Sequence, residues 1–466
     1  MSGNRKQGNP PWGLRWRSST IFIMSTVSMS TFTEFFLYAM IVPVMPSALV
    51  TRAGVPFEHR EYWVSVLLMC EAAVSVICCP IFGFLVDISG TRQLPYLFGL
   101  SLLGTSMILL AFAKTLSIFI LARLLQGGAT AMVAVAGLAL ATDSFDKDRL
   151  GTAVGYLGSA SALGFVLGPF LGGLIYTNFG YEAVFVMAAV LVGVDFILRI
   201  LLVEKKVMES WIEADTESPD DDNQHITGNL NQCSSTNEGG FLLLKLIRQP
   251  RILITLWALL VIGIFFSAFD ATLPIFVEST FHWSPVGAGL IFLPSAFTSL
   301  MGPYFGSICN HYGPRAMAFT GFILLCPTLI CLSVVEHNSW PHIATLVVLL
   351  CLTGLFINVG LPALYVESQA VLEDMECKRP GITGPKGAIA QAFSLQTMAQ
   401  FIGLFFGPLW GGFIEYHFGW KAMAWTLGLL AFVTAIPMLW LSGKVHDAKD
   451  DVGGETEPLL GDRLER

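Results

Sequence analysis

The sequence predicts an all-α membrane protein in which twelve transmembrane helices form two pseudo-symmetric six-helix bundles. Three observations predict this fold class. Only 13% of the 466 residues are charged and 54% are hydrophobic, whereas a soluble domain carries about 25% charged residues. Apolar stretches long enough to cross a bilayer recur along the chain. Two of these stretches share a pattern of glycine and proline, which indicates an internal repeat.

The apolar stretches fall into two groups of six, separated by one polar interval. They cover residues 21–50, 62–86, 94–113, 116–142, 151–176, 181–203, 251–280, 285–309, 316–335, 342–373, 386–415 and 420–442. The interval is rich in Asp, Glu, Ser, Asn and Gly, a composition typical of a disordered linker. We therefore predict an N-terminal tail over 1–20, an N-terminal bundle over 21–203, a linker over 204–250, a C-terminal bundle over 251–442 and a C-terminal tail over 443–466.

Lysine and arginine predict the orientation of the chain, because they concentrate in cytosolic segments. The side that carries both chain ends and the linker holds twenty of the 26 basic residues, and the opposite side holds four. The other two, Arg123 and Arg199, lie within predicted spans. We expect both termini in the cytosol, and we name that face the inner side and the opposite face the outer side.

The two halves also repeat in sequence. Residues 164–173 of span 5 recur as residues 403–412 of span 11. The shared positions singled out in these stretches are Gly164, Gly168, Pro169, Gly172 and Gly173, with Gly407 and Pro408 in the second copy. Glycines allow helices to pack closely and prolines bend them, so we expect structural roles here. A second repeat relates residues 80–92 to residues 303–315.

These motifs resemble those of the major facilitator superfamily. Residues 83–92, with Asp87 and Arg92, resemble the superfamily's signature between spans 2 and 3. Residues 123–127 resemble its span 4 motif, and residues 164–173 resemble a span 5 motif of proton antiporters. The resemblance covers residues 20–442. It is strongest to the twelve-span drug:proton antiporters, a family that includes vesicular monoamine transporters and fungal multidrug or metabolite exporters, and it implies transport by alternating access.

The resemblance also implies candidate site residues. Glu34 stands where those transporters place a span 1 aspartate, Asp270 matches a span 7 glutamate, and Asp195 matches a span 6 aspartate. The span 2 lysine of the family is Glu71 in this chain, and Thr397 replaces the span 11 aspartate. The lysine–aspartate pair of the monoamine carriers is therefore absent, so monoamine substrates do not follow from the resemblance.

Three carboxylates lie deep in predicted spans, and charged groups at that depth usually face a cavity or a partner. Glu34 is about 25 Å along the helix from Arg17, by the rise per residue. We predict Glu34, Asp270 and Glu71 as proton- or substrate-binding residues, together with Tyr38, which lies one helical turn from Glu34. Aromatic rings beside carboxylates suit amphipathic cations. For each group, an internal ion pair or ordinary packing is the alternative.

The remaining charged residues suggest supporting roles. Arg123 either tunes Glu34 or Glu71, or holds the backbone of span 1. Asp87 and Arg92 are predicted to latch the inner gate against a helix end, where charge meets the helix dipole. Asp195 and Arg199 are four residues apart, a spacing that permits a structural pair within one helix.

The sequence therefore predicts a proton-coupled exporter of small amphipathic organic compounds, cations among them. A proton-coupled importer of a small nutrient and a non-transporting membrane sensor are the alternatives. We expect no enzyme activity, because neither a nucleophile–base pair nor a metal constellation is present, and no cofactor or metal. The chain lacks a phosphate-binding loop, so ATP is not the expected energy source.

The expected partners are the organic substrate, protons and the lipid bilayer. We expect no nucleic acid, and a monomer. The plasma membrane is the predicted location. The acidic dileucine sequence at 455–460 favours the vacuolar or endosomal membrane as the alternative.

Overall fold

The computed structural model describes residues 13–89, 91–144, 149–203, 245–283, 290–378 and 389–443, which are helical nearly throughout and contain no strand. Most of the predicted linker and most of both tails lie outside these residues. The boundaries of the five predicted segments therefore stay predictions.

The first bundle contains six long helices, each ending within about three residues of its predicted bounds. Spans 1 to 6 are Thr20–Thr51, Arg60–Ile88, Gln93–Ala111, Leu116–Ser144, Leu150–Phe179 and Tyr181–Leu201. A short helix, Leu14–Arg17, precedes span 1. The Arg17 side chain donates a hydrogen bond to the carbonyl of Leu201, which ties the start of the bundle to its end.

The second bundle follows the same plan with one difference, in span 8. Its helices are Pro250–Phe281, Leu293–Ser299, Gly302–Tyr312, Pro314–Cys331, Trp340–Lys378 and Ile389–Met438. Gly419 divides the last helix into span 11 and span 12, because its φ of 82° lies in the left-handed region that favours glycine. Ten helices of the described chain are long and apolar enough to cross a membrane. The division at Gly419 and the two-part span 8 account for the remaining two of the twelve spans.

Span 8, predicted over 285–309, consists of two helical pieces, Leu293–Ser299 and Gly302–Tyr312. The helix is interrupted at Leu300 and Met301, between its two pieces, and residues 284–289 lie outside the described part of the chain. Pro303 stands just after the interruption and has no N–H to donate to the carbonyl of Ser299, although its repeat equivalent Pro80 lies inside the uninterrupted helix of span 2. The Ser159 hydroxyl of span 5 donates to the freed carbonyl oxygen instead, at 2.5 Å.

Spans 1 and 5 pack against each other much as spans 7 and 11 do. A Cβ atom at Gly164 would lie 2.7 Å from the Phe32 carbonyl oxygen, and one at Gly407 would lie 2.8 Å from the Ile264 carbonyl oxygen. Only glycine permits such close backbone approach. This explains the repeated motif physically.

Two parts of the motif depart from that explanation. Gly173 faces open space, so close packing is the wrong reason for this glycine. Pro169 and Pro408 are not explained by close packing of glycines, and each lies inside a helix that continues through it.

The two bundles meet at the inner side. Leu150 and Val154 of span 5 belong to the hydrophobic core of the second bundle. Ala390 of span 11 packs in a cluster with Val86 of span 2. The outer core of the first bundle, in contrast, contains only residues of that bundle. The inner side is therefore closed in this conformation.

Candidate functional site

Asp270 lies in the middle of span 7, and its exposed side chain lines a small cavity of about 50 Å³. The cavity walls come from spans 7, 8 and 10, and they include the rings of Phe266, Phe269 and Phe292. No ion pair or hydrogen bond to the Asp270 carboxylate occurs among the residues that the structure describes. An accessible carboxylate among aromatic rings can bind an organic cation through charge pairing and cation–π contact.

Glu71 and Arg123 form a buried ion pair between spans 2 and 4. The Arg123 guanidinium lies 2.7 Å from Glu71 Oε2, and both side chains are at most 4% exposed. The same nitrogen donates to the Gln126 side-chain oxygen at 2.9 Å. The structure therefore pairs Arg123 with Glu71 directly. This contact fits the predicted tuning role and the alternative of a structural ion pair equally, so the role of Arg123 stays a prediction.

Two features fix this pair in position. Gly127 of span 4 sits directly against the Glu71 backbone, with no room for a side chain. The Ser75 hydroxyl lies 2.9 Å from the Glu71 carbonyl oxygen and 3.0 Å from the Gly127 carbonyl oxygen. Close contact between spans 2 and 4 thus holds Glu71 beside Arg123.

Glu34 is 3% exposed and lies between spans 1 and 4. The Thr130 side chain of span 4 hydrogen-bonds to its carboxylate. Glu71 and Asp195 both lie within electrostatic range of Glu34. The carboxylate is therefore enclosed by protein, unlike that of Asp270.

Tyr38 connects the polar groups of the two bundles. Its ring makes an edge contact with Phe165 of span 5, with the ring centroids 5.8 Å apart. Its hydroxyl lies within electrostatic range of Glu71 and Arg123 in the first bundle and of Asp270 in the second. Tyr38 therefore lies within electrostatic range of two other predicted residues, Glu71 and Asp270, and we call the region around these three residues the central space.

Asp87 and Arg92 lie at the inner interface between the bundles. The Asp87 carboxylate accepts hydrogen bonds from the backbone N–H groups of Ala390 at 3.3 Å and Gln391 at 3.0 Å. These groups begin span 11, where the helix dipole favours a negative charge. Arg92 lies 3.0 Å from Asp87 and 3.1 Å from Asp143.

The charge of Arg92 is stabilised by these neighbours. Burial alone would lower the pKa of the Arg92 guanidinium, but Asp143 and Asp87 outweigh burial and hold that pKa above its ordinary value. We call this arrangement of Asp87, Arg92 and the start of span 11 the inner latch. Its gating role stays a prediction.

Glu367 of span 10 is a buried carboxylate that the sequence did not single out. Its Oε1 lies 2.5 Å from the Arg251 guanidinium of span 7. It also accepts hydrogen bonds from the backbone N–H of Ser442, at 3.1 and 3.2 Å. Glu367 thus joins spans 7, 10 and 12 near the inner side. The described residues contain no group of three or more His, Cys, Asp or Glu that could hold a metal ion.

Twelve spans in two related bundles around a central polar space define a multi-pass membrane transporter. The chain belongs to the Major Facilitator Superfamily, whose family model matches residues 27–375 and 293–462.

Its relatives include transporters from fungi and animals. An MFS-type transporter, ppzB, of Metarhizium rileyi is 31% identical, and the match covers 91% of this chain and 95% of that protein. A synaptic vesicular amine transporter of Bos taurus is 23% identical over 75% of this chain and 66% of its own length. The crystal structure of the human organic anion transporter MFSD10 (TETRAN) has a TM-score of 0.66 and 16% identity, covering 90% of this chain and 99% of that one. This last likeness concerns the fold alone.

Proposed function

We propose that this transporter exchanges protons for small amphipathic organic compounds, cations among them, and exports those compounds by alternating access. The carboxylate of Asp270 carries the proposal. It opens into an aromatic-lined cavity without a protein cation beside it among the described residues. A carboxylate in such a place needs an exchangeable partner, and a proton or an organic cation can fill that role.

The residues of the central space support a division of labour. Asp270, with Phe266 and Phe269, binds the positive end and the apolar body of the substrate. Glu34 holds the exchangeable proton, because burial disfavours the charged form of a carboxyl group. Protonation of both carboxylates from the acidic side releases the substrate there, and loss of the protons on the inner side restores binding.

The charge of the central space favours cations over anions. Arg123 is matched by Glu71 at 2.7 Å, so this pair contributes little net charge. Glu34 and Asp270 remain, and both repel an anionic substrate when ionised. The amine transporters among the relatives support the same preference for cationic substrates. The importer and sensor alternatives have no residue in the described structure that favours them.

The remaining parts of the proposal concern the setting of the protein. We propose a monomer in the plasma membrane, with both termini and the linker over 204–250 in the cytosol. The excess of Lys and Arg on that side supports this orientation.

The decisive experiment uses full-length protein in liposomes with an acidic lumen. Uptake of three aromatic monocations, ethidium, tetraphenylphosphonium and methyl-phenylpyridinium, is measured with and without the pH gradient. Asp270→Asn and Glu34→Gln should each lower gradient-driven uptake by about a hundredfold, a typical effect of losing a proton-transferring group. Glu278→Gln, an exposed carboxylate near the outer end of the same span 7, is the matched control and should leave uptake unchanged.

Two outcomes would contradict the proposal. If the wild-type protein accumulates none of the three cations, the proposed substrate class is wrong. If both carboxylate variants accumulate them as fast as the wild type, the proposed proton and substrate sites are wrong.

A further inference from the structure

A row of buried polar side chains lies between spans 1, 3 and 6, away from the cavity. Its members are Ser30 of span 1, Tyr96 of span 3, and Asp195 and Arg199 of span 6, each at most 1% exposed. The Ser30 hydroxyl donates a hydrogen bond to Asp195 Oδ1. The Arg199 guanidinium lies over the Tyr96 ring, 3.9 Å from its centroid. We call these four residues the span 6 row.

The span 6 row leads from Glu34 toward the inner side. Glu34 follows Ser30 by one helical turn, so the two side chains share a face of span 1. Asp195 lies within electrostatic range of Glu34. Asp195 precedes Leu201, the last residue of span 6, by about 9 Å along the helix axis. The row therefore covers the inner half of the first bundle.

The Ser30 hydroxyl of the span 6 row has more hydrogen-bond acceptors within reach than hydrogens to donate, and such an arrangement lets a proton change position. The Ser30 oxygen lies near both Asp195 Oδ1 and the Thr26 carbonyl oxygen, which is 3.1 Å away. A hydroxyl group has one hydrogen, so it can point to only one of these acceptors at a time. Asp195 Oδ2 is buried without a hydrogen-bond partner among the described residues, whereas the Tyr96 hydroxyl lies within hydrogen-bonding reach of Ser30. Such an orphaned oxygen is rare and indicates a bound water or a functional role.

We propose that the span 6 row carries protons between Glu34 and the inner side, on a route separate from the substrate cavity. The proposal rests on the proposed proton-coupled function. A proton that leaves the Glu34 carboxyl is accepted by the Ser30 oxygen, whose own hydroxyl proton passes to Asp195 Oδ1. Neutral Asp195 then releases its proton to water at the inner end. Only O–H bonds form and break in these steps.

The surrounding charges fit this route. The charged or titratable groups that face Asp195 are Arg199 on its own span, Tyr96 of span 3 and Glu34 of span 1. Arg199 balances the charge of Asp195 after the proton has left. The inner latch and the packed inner ends of the bundles close the central space on that side. The span 6 row runs between spans 1, 3 and 6 and does not cross this closed region.

The test separates net transport from exchange. Liposomes containing the full-length protein are assayed for ethidium uptake driven by a pH gradient, and for exchange of labelled against unlabelled ethidium at equal pH. Exchange requires no net proton movement, whereas gradient-driven uptake requires protons to move across the membrane. Ser30→Ala and Asp195→Asn should lower gradient-driven uptake at least about tenfold and leave exchange near the wild-type rate. Ser30→Thr keeps the hydroxyl and should restore uptake.

A matched control is available in the same bundle. The Ser106 hydroxyl of span 3 is equally buried but donates to the carbonyl of Leu103 in its own helix. Ser106→Ala should therefore leave both activities unchanged. If Asp195→Asn does not fold, the comparison of Ser30→Ala with Ser30→Thr alone carries the test.

The outcomes distinguish this proposal from the proposed function. Gradient-driven uptake that is unchanged in Ser30→Ala and Asp195→Asn would overturn the proton route and leave the proposed function intact. Equal loss of uptake and exchange would show that the row is only structural and would also overturn the route. A wild-type protein that exchanges ethidium but ignores the pH gradient would overturn the proposed proton coupling and the route with it.

Discussion

Replacing Arg123 with methionine removes the positive charge from the Glu71–Arg123 pair and keeps a long apolar side chain in its place. The Glu71 carboxylate then remains buried, at 3% exposure, without its guanidinium partner. The Gln126 side-chain oxygen also loses the hydrogen bond that Arg123 donates at 2.9 Å. We expect the variant Arg123→Met to be strongly destabilised.

The magnitude follows from the geometry of the pair. Breaking a buried ion pair by removal of one partner costs about 3–5 kcal/mol, because an uncompensated charge stays buried. A unit of 150–250 residues loses about 2–4 °C of Tm per kcal/mol. The first bundle is of that size, so a decrease of about 6–20 °C is expected. Removing both charges, in Glu71→Met with Arg123→Met, should cost less than either single substitution, because apolar replacements of buried pairs are often neutral.

The assay is thermal unfolding of the purified protein, followed by the fluorescence of its 11 tryptophans. Lys421→Met is the control, because Lys421 pairs with Glu336 at 2.5 Å and the two side chains are 61% and 39% exposed. Its Tm should stay near that of the wild type, since exposed pairs contribute little. An Arg123→Met variant as stable as Lys421→Met would refute the reasoning. A double variant that loses the full sum of the two single effects would refute it equally.

Two further predictions concern the helix contacts. Asp87→Ala should weaken the inner latch. In the background of Leu150→Cys, a membrane-impermeant thiol reagent should then reach the cysteine about two- to fivefold faster, which is the effect of losing one charge–dipole contact. An unchanged rate would contradict a latch. Gly168→Val should abolish folded protein, because its Cβ would lie 2.6 Å from the Phe36 carbonyl oxygen. Gly173→Val, facing open space, is the control, and equal yields by size-exclusion chromatography would contradict the packing argument.

The spans were predictable from the sequence because the bilayer imposes the same requirement on each of them. About 20 apolar residues must cross the hydrocarbon core, so the bounds of a span such as Thr20–Thr51 follow from composition. The break in span 8 escaped this reasoning, because its residues remain apolar on both sides of the interruption. Pro303 removes one helical hydrogen bond at this point, but its repeat equivalent Pro80 does the same inside the uninterrupted helix Arg60–Ile88, so the proline alone did not predict the break.

The site was predictable in its residue types and less so in its contacts. Glu34, Glu71 and Asp270 stand out because carboxylates are rare in apolar stretches. The partner of Glu71 could not be chosen from the sequence, since Arg123 is 52 residues away and only packing brings the two together. Glu367 escaped notice for a related reason. A carboxylate toward the inner end of a long helix is expected to reach water, and only the fold shows that Arg251 and Ser442 enclose it.

The two inner interfaces between the bundles have diverged although the sequence repeat relates them. Asp87 contacts the start of span 11 with a charged group. The equivalent residue of the second bundle is Asn310, whose side-chain amide is 3.5 Å from the Thr152 hydroxyl near the start of span 5. An amide carries no net charge, so its interaction with the helix dipole is weaker than that of a carboxylate.

The interface between spans 5 and 8 must therefore obtain its stability elsewhere. It does so through close backbone packing, since a Cβ at Gly302 would lie 2.6 Å from the Gly155 carbonyl oxygen. Packing contacts disappear within a small separation, whereas a charge–dipole attraction decreases gradually with distance. If the inner side opens, we therefore expect the contact between Asp87 and span 11 to continue to attract after the contact between spans 5 and 8 has been lost. The duplicated fold supplies two similar interfaces, and we predict that the single aspartate makes one of them the later to release.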